Sequence, residues 1–237
     1  MKTATIYLML LMASVPALCT ADLIGPTAYF GFDDSPFNGL SFSYFHLEDV
    51  EDSLINTPGL SATGGFVSNN GNQDSVDADD GVIDGNGSAG RSYVQQAALS
   101  QLTFEFSAAL LGALPTNVGV VWTDGSSNGS GVPGQFEFEA FDSLGFSIGI
   151  LSANLGDGFI AGQTGEDRFF GVTFATGVSR IEFRNLSAAS LAYIEVDHIQ
   201  YGLSVVPALG TSWLLFLGLI TLARVRHISR RKLLAAV

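Results

Sequence analysis

The chain has 237 residues, 47% of them hydrophobic and only 14% charged, with a formal charge of −13. All 23 Asp and Glu lie between Asp22 and Asp197, opposed there only by Arg91, Arg168, Arg180 and Arg184, so that region carries −19. Nucleic-acid binding leans on Lys and Arg that neutralise phosphates and is excluded; the lone cysteine, Cys19, excludes a disulfide framework.

Met1-Lys2-Thr3 opens the chain and an apolar stretch runs from Ile6 to Leu18. Small side chains at Cys19 and Ala21 mark a cleavage point after Ala21, so residues 1–21 read as a secretory signal peptide. A lipoprotein signal ending at Cys19 is the alternative, against which stands the bulk of Leu18. Cleavage after Ala21 removes Cys19, and no disulfide then braces the mature chain even in an oxidising compartment.

Residues 22–205 suffice for one extracellular domain with a substantial core. Runs rich in Phe, Val, Ile and Tyr recur at Leu40–Val50, Leu102–Phe106, Val118–Trp122, Phe136–Phe141, Phe146–Leu151, Phe169–Phe174, Arg180–Arg184 and Ala192–Tyr201. Gly, Asn, Asp and Ser separate them at intervals of about ten residues, as between short strands. Asn38-Gly39, Asn70-Gly71, Asn86-Gly87 and Asn128-Gly129 are turn signals, because both residue types tolerate positive φ. Phe136-Glu137-Phe138-Glu139-Ala140 alternates with period two, the mark of a sheet with one dry and one wet face. One short helix is expected near Gln95–Leu99. The pattern predicts an all-β, jelly-roll-like β-sandwich.

Two acidic constellations suit a hard cation. In the stretch that opens at Asp74, the acids Asp77, Asp79, Asp80 and Asp84 lie close together among Gly81, Gly85 and Gly87. Calcium takes six to eight oxygens from a loop that turns sharply between ligands. The spacing is not an EF-hand's, since Gly81 at the invariant glycine would put Val76 at the first ligand position. An irregular structural Ca²⁺ loop and a solvated acidic loop both fit. The second set joins Glu48, Glu51 and Asp52, at the end of an early strand, to Asp197 on the last strand. Period-two geometry puts Tyr193, Glu195 and Asp197 on one face and Ile194, Val196 and His198 on the other. This arrangement resembles jelly-roll carbohydrate-binding modules, which implies neighbouring first and last strands and a structural calcium held by an early Glu and a late Asp. The alternative is that Asp197 caps an edge or meets Arg180 or Arg184.

Catalytic readings are weaker. Glu137-x-Glu139-x-x-Asp142 resembles the Glu-x-Asp-x-x-Glu of jelly-roll β-glucanases, but with the acid types reversed. Side chains two apart on a strand lie about 6.5–7 Å apart, against about 5–5.5 Å between the carboxyls of a retaining glycosidase. Gly125-Ser126-Ser127-Asn128-Gly129 matches Gly-x-Ser-x-Gly, yet a nucleophile elbow joins a strand to a helix, and this Gly/Ser-rich stretch leads through Pro133 into another strand. His46 and His198 approach each other if their strands pair, but zinc needs more ligands. Trp122, Tyr93 and Tyr201 are either sugar-stacking rings or core.

After residue 205, Val206–Ala223 is an almost wholly apolar run of roughly 18 residues, near the lower limit for a transmembrane helix. Trp213 suits the interfacial belt, and residues 224–237 hold five basic side chains, including Arg230 and Arg231, which stay cytoplasmic by the positive-inside rule. A plain single-pass anchor explains these residues. Val206-Pro207, the apolar helix and the terminal arginines also resemble the PEP-CTERM sorting signals of exopolysaccharide-producing Gram-negative bacteria. That likeness implies recognition by an exosortase-type membrane protease. The chain departs from the pattern, with Ala208-Leu209 where the family has Glu-Pro, and Leu233–Val237 beyond the basic cluster. The order of segments in residues 48–202 is similar to an extracellular domain found with this signal. The expected protein is exported to the membrane, cell surface or extracellular matrix, is non-catalytic, and binds polysaccharide with calcium as a stabiliser. The alternative is a secreted glycoside hydrolase using Glu137 and Glu139.

Overall fold

The alternation of Phe136-Glu137-Phe138-Glu139-Ala140 becomes a strand whose phenylalanines are buried and whose first glutamate is half-exposed. A computed structural model of the chain describes residues 20–68, 74–76, 90–95, 101–126, 133–156, 164–186 and 193–205. The expected signal peptide as far as residue 19, the loop acids Asp77, Asp79, Asp80 and Asp84, and the tail with Val206, Pro207, Arg230 and Arg231 lie outside the described residues. Residues Ser204–Val237 separate as a second unit. Among the described residues no helix is long and apolar enough to cross a membrane.

Twelve strands follow in order: β1 Asp22–Ala28, β2 Phe42–Glu48, β3 Leu60–Thr63, β4 Gly65–Ser68, β5 Ser92–Gln95, β6 Gln101–Phe106, β7 Asn117–Ser126, β8 Gly134–Phe141, β9 Ser147–Leu155, β10 Arg168–Thr173, β11 Arg180–Asn185 and β12 Tyr193–Ser204. They form two antiparallel sheets. The five-stranded sheet runs β3-β6-β11-β8-β9. The seven-stranded sheet runs β1-β10-β7-β12-β5-β4, with β2 also paired to β12. All eight expected runs fall on strands, while β1, β3, β4 and β5 carry no signal the sequence reading used. Gln95 ends β5 instead of opening a helix, and residues 96–100 lie outside the described residues. The single described α-helix is one turn, α1 at Ala108–Leu111.

Facing side chains of the two sheets interlock into one core. Register sets Phe183 opposite Phe138 and Leu102, and Ile181 opposite Ala140 and Phe104. Phe170 meets Phe183 edge-on at 5.0 Å, and Trp122 tilts against Phe136 at 5.3 Å. Each such ring contributes about 1.5–3 kcal/mol through burial. The chain switches sheets at Gly64, between β3 and β4, where φ is +91°. A Cβ there would stand 2.2 Å from the Gln101 carbonyl oxygen, so only glycine fits.

The seven-stranded sheet is dry on both faces at its centre. Residues Ile194–Gly202 of β12 are all buried. A second layer, with Tyr29, Phe37 and Val76, packs on Val121 and Phe169 of its outer face. β12 also breaks register between Asp197 and Gln200, and His198 has φ 44°. This bulge inserts a residue and reverses the alternation beyond it. His198 therefore sits with Asp197 on the outer face, and Ile199 takes its place in the main core with Ile194 and Val196. The period-two expectation for His198 is corrected by that one residue.

Candidate functional site

The outer face of the seven-stranded sheet buries an unusual amount of acid. Glu195 and Asp197 project from β12, Asp124 from β7, and Asp74-Ser75-Val76 plugs the gap above them. Asp74 is 1% exposed, Asp124 1%, Glu195 4% and Asp197 0%. The Asp74 amide donates to Glu195 Oε2 at 3.0 Å, and the Ser92 hydroxyl to the same oxygen at 3.4 Å. Ser75 Oγ and the Val76 amide both donate to Asp197 Oδ2 at 3.1 Å, while the His198 amide holds Oδ1 at 2.7 Å. Tyr193 donates to Asp124 Oδ2 at 2.6 Å and the Gly125 amide to Oδ1 at 2.6 Å. Burial raises the Glu195 carboxyl well above its ordinary range, and the nearby Asp124 and Asp74 push it the same way. Burial, and then Asp124, also raise the Tyr193 phenol.

Next to this cluster a polar relay fixes the segment after β1. The Tyr29 hydroxyl shares a 2.9 Å hydrogen bond with His198 Nδ1 and accepts one of 2.9 Å from Gln200 Nε2. Ser35 donates to Gln200 Oε1 at 2.5 Å, and the Phe37 amide donates to Ser35 Oγ at 3.1 Å.

The early acids are engaged elsewhere. Glu48 is buried and accepts from the amides of Val50 at 3.2 Å, Asn56 at 2.9 Å and Thr57 at 3.0 Å. Asp52 accepts from the Leu54 amide at 2.9 Å and Asn56 Nδ2 at 2.6 Å. Glu51 accepts from the Arg91 amide at 2.6 Å, and its carbonyl takes Arg91 Nε at 2.9 Å. These acids staple the loop that follows β2. Although β2 does lie beside β12, they share no described hydrogen-bond partner with Asp197. Among the described residues no three His, Cys, Asp or Glu side chains are grouped to hold a metal ion. Asp197 meets neither Arg180 nor Arg184, which belong to the other sheet. The paired strands do not bring the two histidines together as a site. His46 packs its ring 5.2 Å from Tyr201, with its pKa lowered by burial, whereas His198 turns to Tyr29.

The outer face of the five-stranded sheet carries a ladder of charge. Arg184 donates through Nε to Glu137 at 3.1 Å, through Nη2 to Glu137 at 2.5 Å and to Glu139, and through Nη1 to Glu182 at 2.8 Å. Arg180 pairs with Glu182 at 3.0 Å and lies 4.0 Å over the Phe141 ring. Burial acts to raise the Glu139 carboxyl, but hydrogen bonds from Ser147 and Arg184 outweigh it and hold the group below its ordinary value. A glycosidase needs one of its two carboxyls protonated near neutral pH; Arg184 favours the opposite state. Trp122, Tyr93 and Tyr201 are 0%, 4% and 0% exposed, so they are core and not sugar platforms.

Sequence reasoning met Asp74 only as the start of the acidic loop and Glu195 only as a face-mate of Asp197, and it passed over Asp124, Tyr29, Ser35 and Gln200. The available signal was polar residues inside β7 and β12, runs otherwise apolar enough to be covered on both sides.

No family model matches the chain, and no curated protein matches it. Among solved structures it is similar to the K1 cleaved adhesin domain of Lys-gingipain from Porphyromonas gingivalis W83, with 13% identity and a TM-score of 0.43 over 69% of this chain and 100% of that chain. The K2 cleaved adhesin domain of Lys-gingipain gives 13% and 0.42 over 68% and 100%. The CBM22-2 xylan-binding domain from Paenibacillus barcinonensis Xyn10C gives 15% and 0.34 over 67% and 99%. None of these likenesses assigns a ligand to this chain.

Proposed function

We propose that the chain is an exported, non-catalytic protein of the cell surface or matrix whose β-sandwich binds polysaccharide. The observation that carries the non-catalytic reading is the Arg184 clamp, which occupies Glu137 and Glu139 and holds the Glu139 carboxyl below its ordinary value. The placement of β2 beside β12 supports the jelly-roll reading of the sandwich. Export rests on the signal peptide 1–21, the apolar segment 206–223, the basic tail 224–237 and the −19 of the region between Asp22 and Asp197. Delivery runs through a PEP-CTERM-type signal read by an exosortase-type protease.

Calcium is the structural ion of this reading. The donor set is carboxylate oxygen throughout, which fits a hard cation. Asp77, Asp79, Asp80 and Asp84 would hold it. In sequence Asp77 follows Val76, and Asp74, Ser75 and Val76 are anchored on Glu195 and Asp197.

A glycan array probed with the full-length chain in detergent, with and without EGTA, tests both parts. Binding to defined polysaccharides supports the reading, and an array blank under both conditions refutes it. A melting temperature that EGTA leaves unchanged sinks the calcium claim. Release of reducing sugar that disappears in Glu139→Gln would establish the glycoside hydrolase instead.

A further inference from the structure

A shallow hollow of about 460 Å³ opens on the outer side of β2, lined by Phe32, Phe42 and Phe45, with Phe37 below and Asn38 and Ser43 at its mouth. Phe32 and Phe42 flank Phe45, with ring centroids 5.7 Å and 5.0 Å away. Three half-buried rings beside the exposed Leu40 form an apolar patch of the kind that marks a binding surface. They cannot retreat into the fold. Phe37 already fills the space beneath and packs edge-on against Phe169 at 5.4 Å. The turn carrying Phe32 is held by Ser35, whose hydroxyl is tied to Gln200. The platform is thus pre-organised, which removes part of the ordering cost of binding.

We infer that this hollow is a binding site for an uncharged glycan chain, an inference that rests on the polysaccharide-binding function proposed above. Sugar rings present apolar C–H faces that suit the phenylalanines and hydroxyl edges that need acceptors. Asp33, exposed on the same turn as Phe32, and the side chains of Asn38 and Ser43 supply acceptors at the rim. Charge selects the class. Arg91 is tied to Glu51, Arg168 to the carbonyls of Gly165 and Asp167, and Arg180 and Arg184 to the ladder on the other sheet. No arginine of the domain is therefore left to meet a uronate or sulfate at the hollow, and the surrounding −19 repels both.

Isothermal titration of the full-length chain in detergent with xylohexaose, cellohexaose, laminarihexaose and an alginate hexamer tests the site. The expected result is binding of at least one neutral hexamer and none of alginate. Phe45→Ala and Phe32→Ala should each lower affinity about three- to tenfold, the worth of one aromatic contact. Phe146→Ser is the control, a barer ring at 67% exposure in the turn between β8 and β9 of the other sheet, and should change affinity less than about twofold. Circular dichroism confirms that each variant folds, and Phe32, on an exposed turn, guards against a collapse specific to Phe45. Neutral-glycan binding that survives both phenylalanine changes but falls in Arg184→Ala overturns this site and leaves the function standing. Binding of alginate alone overturns the charge argument. No binding of any hexamer, or a self-association lost in Phe45→Ala, overturns this site; an array blank as well would take the function with it.

Discussion

Replacing Glu195 with Gln should stabilise the metal-free protein at neutral pH. The carboxyl is buried, lies opposite Asp124 in the β7–β12 register, and receives the Asp74 amide. Its pKa in the fold is raised well above the ordinary 4.5. The folded state thus keeps the proton to a higher pH than the unfolded chain does. The contribution of this group is fully present below the unfolded value and is lost as pH rises through the folded one. An amide keeps an acceptor oxygen for the Asp74 and Ser92 donors and cannot ionise. The burden removed is about 1–3 kcal/mol. At about 2–4 °C per kcal/mol for a chain of this size, the melting temperature rises by about 2–12 °C at pH 7.5. The assay is calorimetric unfolding in EGTA from pH 4 to 8. The two proteins should coincide near pH 4 and diverge above it. A variant less stable than wild type at pH 7.5 but equal at pH 4 would show that the ionised carboxylate is needed, and the reasoning would fail.

Removing Arg184 leaves Glu137, Glu139 and Glu182 facing one another, and Arg184→Ala should cost about 1–3 kcal/mol in urea unfolding at neutral pH, with the loss reduced in acid as Glu139, which Arg184 helps hold below its ordinary pKa, takes up its proton. Gly64→Ala should cost at least about 2 kcal/mol by the same assay, since it meets both a positive φ and the Gln101 carbonyl; a neutral result would deny the tight corner between β3 and β4. In ultraviolet titration Tyr44 and Tyr201, both pushed up to about 12 by burial first of all, should ionise well after an exposed phenol. Their stabilising contribution is complete below the unfolded value of about 10 and vanishes as pH climbs towards 12. Tyrosines that all titrate together near 10 without unfolding would refute this.

How much was legible depends on how much of each element is written locally. The central strands of the five-stranded sheet were plain, because Phe136, Phe138, Ile181 and Phe183 alternate with charges. β1 was hidden by Gly25-Pro26, which reads as a turn and is tolerated here because β1 lies at a sheet edge. β3, β4 and β5 are four residues each, too short for a period to show. The bulge at His198 leaves no trace in composition, yet it decides which residues of β12 face Tyr29. Glu48, Glu51 and Asp52 have the residue types of cation ligands; that their oxygens accept amide protons from their own loop is a matter of backbone path, which spacing does not encode. The Arg184 clamp joins residues 45 and 47 positions apart in sequence and emerges only from strand register.

β12 is the last strand of the sandwich and pairs with β2, β5 and β7 at once. Any nascent or partly translocated chain that stops before Tyr193 lacks the partner for all three, and it leaves Tyr29 without His198 and Gln200. Pairings this distant in sequence are slow to form because loop closure comes before any gain. Under the export proposed above, a chain threading through a membrane from its N-terminus would be kept from closing early, and the end of passage would become the start of structure.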